Sequence, residues 1–185
     1  MLKKNIFVQS AMEFKNIYTI AFCGIFAALA VALKFVASID IGEFIRIGIS
    51  DIPGIFVSAL FGPFVGGIFW AVLDIVKYLA VPTGPFFPGF TISAMLNGII
   101  FGCILYKKPF KLWRIFLAIL LSKCFISIGL NTIWLSILYQ NAILVMLPTR
   151  IITNLIMLPI DTIITYTIIK LTSPILNKQR FLKVN

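Results

Sequence analysis

Histidine is absent from all 185 residues. That excludes imidazole general bases and His-ligated metal sites. Acid is scarce, with six Asp and Glu against sixteen Lys and Arg, for a net charge of +10. No carboxylate-rich metal motif of the kind a membrane phosphotransferase or prenyl enzyme uses is present. The three cysteines, Cys23, Cys103 and Cys124, lie far apart in apolar stretches. They form no C-x-x-C pair and frame neither a zinc site nor a disulfide scaffold. There is no G-x-x-x-x-G-K-[ST] phosphate loop, so any ATP-driven step falls to another subunit. Met1 to Phe14 lacks a long apolar core ahead of a small-residue cleavage site. No cleavable signal peptide is expected, and the first span serves as its own insertion signal. Nothing in these residues calls for a cofactor or a metal.

What the chain has is apolar surface. It is 61% hydrophobic and 12% charged, with a mean hydropathy of +1.07. Soluble domains carry roughly 45–50% apolar and about 25% charged residues. A soluble protein of this length has no place to hide so much apolar surface, whereas lipid accommodates it. In lipid the backbone must satisfy its own hydrogen bonds, by helices or by a closed barrel. Barrel strands alternate apolar and polar residues; these runs are apolar on all sides, so an all-α integral membrane protein is expected.

A spanning helix takes about 20 apolar residues, roughly 17–25. The runs are Ile17 to Ala37, Pro53 to Leu60, Pro63 to Ala80, Phe90 to Leu105, Leu112 to Tyr139 and Leu147 to Ile169. The second is too short to cross alone and is expected to bend, tilt or merge with the third. Val81 to Gly89 is too rich in Pro and Gly for helix. With the N-terminus inside, eleven of the sixteen basic residues are cytoplasmic: Lys3, Lys4, Lys15, Lys107, Lys108, Lys111, Arg114, Lys170, Lys178, Arg180 and Lys183. This positive-inside bias predicts a single six-transmembrane-helix bundle in the plasma membrane, with both termini cytoplasmic. It also explains the basic charge, so nucleic acid is not an expected partner; the lipid bilayer is.

Charges at mid-membrane cost about 2.5–3.5 kcal/mol on insertion scales, so they face the bundle interior, pair, or mark a pathway. Asp74, Lys77 and Tyr78 share one face of the third run. At about 1.5 Å per residue, Asp74 lies roughly 10 Å below the outer end. Ser93 and Asn97 share a face of the fourth run. Lys123, Ser127 and Asn131 repeat at helical spacing in the fifth, with Trp134 continuing outward. Arg150 and Asn154 form the outer polar face of the sixth, and Asp161 lies deeper, near Pro159. Four helices thus bring polar groups to one depth beneath Phe86, Phe87 and Phe90, which predicts a binding pocket in the outer half. The inner half is nearly free of polar side chains, which suits capture from outside rather than a through-pore. Singly, the residues have blander readings. Asp74 and Lys77 can form an intrahelical ion pair, Arg150 and Lys34 can snorkel, Lys123 can pair with Asp161, and the phenylalanines can form an interfacial belt. Those readings explain the shared depth less well. Small residues recur at four-residue spacing in Gly24, Ala28 and Ala32, in Gly62 and Gly66, and in Gly98 and Gly102. Internal packing is expected for the last two sets, and a partner-facing role for the first.

These residues also carry a resemblance. Arg46-Ile47-Gly48 with Pro53, Phe61-Gly62-Pro63 with Gly66, and Asp74 form the first part. Pro82-Thr83-Gly84, then Phe87-Pro88-Gly89-Phe90-Thr91-Ile92-Ser93-Ala94, form the most specific part. Leu130-Asn131-Thr132 with Trp134-Leu135, Arg150 and Pro159 complete it. From Ile17 to Leu171 the chain resembles the S components of energy-coupling factor (ECF) vitamin transporters, nearer the folate-specific group. One departure is Gly24, where an alanine would begin the small-residue series. The resemblance implies capture of folate outside the cell and turnover by a transmembrane T component with two ABC-type ATPases. It further implies docking on the T component through Gly24, Ala28 and Ala32.

Folate chemistry suits the pocket residues. A pterin ring offers adjacent N–H donors to a carboxylate, and Asp74 is the acid on the outer pocket face. Trp134, Tyr78, Phe86 and Phe90 offer aromatic walls, with Asn97, Asn131 and Asn154 as polar lining. The two carboxylates of the glutamate tail suit Arg46, Lys77 and Arg150. The rival readings are an S component for another vitamin or precursor (hydroxymethylpyrimidine or thiamin, pantothenate, pyridoxine), a membrane-embedded enzyme, and an autonomous channel or exchanger.

Overall fold

Run length decides which helices can cross a membrane, and one cannot. The computed structural model of the chain describes residues 5–41, 45–82, 85–139 and 143–182, with side chains throughout except over 36–49, 143–146 and 172–182. In chain order the elements are α1 (Ile6–Glu13), α2 (Ile17–Ala37), strands β1 (Ser38–Ile41) and β2 (Ile45–Gly48), a 3-10 turn (Ile49–Asp51), α3 (Ile52–Phe61), α4 (Pro63–Ala80) and α5 (Pro88–Leu105). Next, α6 (Leu112–Leu121), a π-helical segment (Ser122–Leu130) and α7 (Asn131–Tyr139) run on as one length of 28 residues. α8 (Ile143–Leu182) completes the order. Among the described residues the fold is helical, as expected, except for one antiparallel ribbon in the polar stretch Ser38 to Asp51. It pairs Ser38 with Gly48 and Asp40 with Arg46.

Among the described residues, five helices are long and apolar enough to cross a bilayer: Ile17–Phe35, Pro63–Ala80, Pro88–Leu105, Leu112–Tyr139 and Leu147–Leu171. The third starts at Pro88, inside the stretch expected to exclude helix. Proline is tolerated there because the first turn has no intrahelical use for its N–H. The last continues to Leu182, well past the expected end at Ile169.

α3 has ten residues and rises about 15 Å, half of a ~30 Å hydrocarbon core. Nine of the ten are buried. Short or broken backbone at membrane depth is tolerated where protein surrounds it, and here α2, α4 and α5 do so. The largest apolar core centres on this helix, with Ile55, Phe56 and Val57 packed against Val65, Phe69, Trp70 and Leu73 of α4. The run expected at 53–60 is therefore a buried half-length helix.

The α3–α4 corner is made by Gly62, whose φ of +91° an L side chain rarely adopts, followed by Pro63. It is held from a distant part of the chain. Ser10 of α1 accepts hydrogen bonds from the backbone N–H groups of Phe64 and Val65, both at 3.1 Å, and donates to the Phe61 carbonyl at 2.6 Å. Ser10 thus caps the orphan donors of a helix 53 residues downstream of it in sequence terms, a role normally filled by the residue at the helix's own start. The sequence reading assigns no helix to Met1 to Phe14. It also expects an inner half nearly free of polar side chains. At or near the Gly62 end, Ser10 and Ser58 are both buried and hydrogen-bonded to backbone. Ser58 also accepts from Trp70 Nε1 at 3.1 Å.

α4 and α5 share the most extensive helix contact. Gly66 and Gly98 meet there backbone to backbone; a Cβ on Gly98 would strike the Gly66 carbonyl and the Trp70 ring. Small residues at such crossings let helices approach where lipid supplies no hydrophobic drive between them.

Two stability tests follow. Ser10→Ala should lower stability by about 0.5–2 kcal/mol, the usual worth of a helix cap. Gly98→Val should cost at least about 1–3 kcal/mol through overpacking. Both are read as a lowered thermal midpoint in detergent, with Gly24→Val as the control at a position where nothing lies within 4 Å of an added Cβ. An unchanged midpoint for Gly98→Val would remove the close crossing.

Candidate functional site

α5 gathers the candidate site from three directions. Near its start, Thr91 Oγ1 donates to Asp74 Oδ2 of α4 at 2.9 Å. Two residues on, the buried Ser93 Oγ accepts from Trp134 Nε1 of α7 at 3.0 Å. One turn further, Asn97 Oδ1 accepts from Ser122 Oγ, where α6 passes into the π segment. Asp74, Trp134 and Ser122 are thereby tied to α5 through Thr91, Ser93 and Asn97. Thr91 and Ser122 are not in the expected set, and a hydroxyl within one turn of Ser93 was the available signal for Thr91.

The aromatic residues fall into two groups. Tyr78 and Phe86 lie with ring centroids 5.2 Å apart at the end of α4. Phe87 packs against Phe90 at 6.1 Å and against Trp134 at 5.6 Å, between α5 and α7. Aromatic faces thus flank the end of the bundle at which Asp74 and Ser93 lie. Offset or tilted pairs at such spacings are the favoured arrangement.

Two polar atoms here stand out. Asp74 has one carboxylate oxygen on Thr91, and Oδ1 has no donor among the described residues. Asn131 Oδ1 is buried with no hydrogen-bond partner among the described residues. An unpaired buried acceptor such as Asn131 Oδ1 costs about 1–3 kcal/mol, and the half-buried Asp74 Oδ1 is a second acceptor open to a ligand N–H.

Several expected cations are engaged elsewhere. Lys77 does not pair with Asp74. Its Nζ meets Asp51 Oδ1 at 2.7 Å and the Ser50 carbonyl and hydroxyl at 3.0 and 3.2 Å. The intrahelical pairing gives way because the turn ahead of α3 brings a second carboxylate within reach. Lys34 does not snorkel to solvent. Its Nζ lies on the carbonyls of Lys77 and Val81 at 3.2 and 3.3 Å, where the unsatisfied carbonyls of a helix C-terminus favour a cation. Arg150 Nη1 donates to the Ser127 carbonyl at 3.0 Å, and Asn154 Nδ2 to the Arg150 carbonyl at 2.8 Å. Lys123 and Asp161 form an ion pair at 2.7 Å. The stripe Lys123, Ser127, Asn131, Trp134 is therefore split: its lower members engage α8 and Trp134 engages α5. The reason is the π segment, whose wider turns do not keep residues four apart in line. The side chain of Arg46 lies outside the described residues, as do Thr83 and Gly84.

On α2, Gly24, Ala28 and Ala32 are all exposed, among Ile17 (75%), Ile25 (66%) and Phe35 (63%). This face is covered by no other part of the described chain.

Residues 18–169 match the family described as ECF transporter, substrate-specific component. A folate transporter FolT of Clostridium novyi is 38% identical over 122 residues, 66% of this chain and 71% of that protein. A second, from Leuconostoc mesenteroides subsp. mesenteroides, is 31% identical over 147 residues, 75% and 80% of the two chains. Among solved structures, a FolT bound with folic acid superposes with a TM-score of 0.74 at 35% identity, covering 83% of this chain and 93% of that one. With its apolar helices, its Gly-mediated crossing and this match from Tyr18 to Ile169, the chain belongs to the substrate-specific membrane components of ECF transporters.

Proposed function

We propose that the chain is a folate-binding S component, which takes folate from the outside and hands it inward together with a T component and two ATPases. The observation that carries this reading is the combination, in one site, of a carboxylate with a free oxygen (Asp74) and flanking aromatic rings in a chain that superposes on a folate-bound FolT. A carboxylate oxygen accepts N–H groups of a pterin with charge assistance, and a flat ring lies well against Trp134 or Tyr78. Asn131 Oδ1 supplies a further acceptor for a ring N–H. Arg46 and Arg150 are proposed for the carboxylates of the glutamate tail. Lys77 is proposed to serve more through Asp51 and the ribbon than as a direct ligand. Asn97 and Asn154 line the site.

The topology belongs to the same proposal. Counting α3 with the five long helices gives six membrane segments, with both termini in the cytoplasm and the Pro/Gly loop outside. The exposed Gly24, Ala28 and Ala32 face is proposed to dock on the T component, since small residues admit a close helix partner. The reading is one of binding and transport rather than catalysis.

Three outcomes are expected. Purified protein should bind folate with quenching of tryptophan fluorescence. Asp74→Asn should weaken it about ten- to a hundredfold, because a charged hydrogen bond is worth about 1.5–3 kcal/mol; an affinity within about twofold of the parent would end the pterin role of Asp74. In liposomes the chain alone should bind folate but not accumulate it, and accumulation should appear when T component, ATPases and ATP are added; uptake without them would point to a channel. In intact cells, Lys4→Cys and Lys178→Cys should react with an impermeant thiol reagent only after permeabilisation. Labelling of either in intact cells contradicts the orientation.

A further inference from the structure

The nine-residue π segment Ser122–Leu130 lies directly before Asn131 and Trp134. π-Helix occurs mostly as single turns, frequently at functional sites, because its hydrogen bonds reach five residues and its packing is poor. A stretch of this length needs support from outside. α8 supplies two charged contacts to it: Lys123 Nζ to Asp161 Oδ2 at 2.7 Å, and Arg150 Nη1 to the Ser127 carbonyl at 3.0 Å. Thr132 Oγ1 also points at the Ser127 carbonyl, at 3.5 Å. In a low-dielectric interior, charge-assisted bonds of this kind are strong, and breaking one leaves a charge without a partner.

The wider turn has a consequence for everything after it. If the segment relaxed to α-helix, Asn131 and Trp134 would rotate about the axis. Trp134 Nε1 would leave Ser93, and its ring would leave Phe87. We infer that Lys123 and Asp161 are positioning residues: their ion pair holds the π segment open and thereby presents Asn131 and Trp134 to the ligand. The pair touches no ligand itself. This inference rests on the folate reading for its effect on binding, but its structural half stands apart from it.

The test uses full-length protein carrying 5-fluorotryptophan, with the Trp134 resonance assigned by Trp134→Phe. Asp161→Asn alone leaves an unpaired lysine in the membrane, so the informative variant is Lys123→Met/Asp161→Leu, which removes both charges. Its Trp134 resonance should shift or broaden while those of Trp70 and Trp113 stay in place. If the held arrangement falls to about a tenth of the population, folate affinity falls about tenfold. The swap Lys123→Asp/Asp161→Lys should return both readouts toward the parent. The inference is overturned if the apolar variant keeps the parental Trp134 signal, if all three resonances move together, or if the swap restores neither readout. Should the parent fail to bind folate while Trp134 still follows the pair, the folate reading falls and the positioning role stands.

Discussion

α3 rises about 15 Å beside helices that rise nearly twice as far, and the rest of the architecture follows from that shortfall. A ten-residue helix cannot face lipid at both ends without exposing polar backbone, so it is enclosed by α2, α4 and α5. Its start then lies partway along α4. Between α2 and α3 the described chain forms a ribbon and a 3-10 turn instead of helix. Lys77 pins that turn through Ser50 and Asp51, and Lys34 seals the end of α4 beside it. Asp74, near the C-terminal end of α4, meets Thr91 in the first turn of α5. At the opposite end the corner is tight: Gly62 turns the chain, Ser10 caps it, and Gly66 meets Gly98. One end is closed by packing, and the other retains polar groups.

Hydrogen-bond satisfaction separates structural polar groups from those available to a ligand. Ser10, Ser58, Lys34, Lys77 and Lys123 each have specific protein partners. Removing such a partner costs stability. Asp74 Oδ1 and Asn131 Oδ1 have no donor among the described residues, and they sit on elements joined through α5. Groups left unsatisfied in a native protein ask for an explanation, and a ligand with N–H donors is a simple one.

Much of this was legible in the residues. Apolar run length located the helices, and the shortness of 53–60 was visible before its reason was. The approach of Asp74 to the start of α5 was legible in helical spacing, because α4 and α5 are regular there. The pairing of Lys123 with Asp161 was legible only as one of two open readings, the other being a ligand role for Lys123. Other features were not legible because they depend on contacts between distant segments. Ser10 reaches a helix start more than 50 residues away, and Lys77 prefers Asp51 to the nearer-in-sequence Asp74. The stripe through Lys123, Ser127 and Asn131 assumed an α-helical period, which the π segment breaks. A periodicity argument identifies a face only where the hydrogen-bond pattern beneath it is constant.

The central claim is that Asp74, framed by aromatic rings above a half-length helix, receives the ring N–H donors of the vitamin. The most direct measurement is a structure of this chain with folate bound. The pterin donors are expected on the Asp74 carboxylate, with the ring against Trp134 or Tyr78 and the glutamate tail toward the ribbon. A pterin ring seated elsewhere, for example in the apolar cleft between α5 and the π segment lined by Leu96, Ile100 and Phe125, would contradict it.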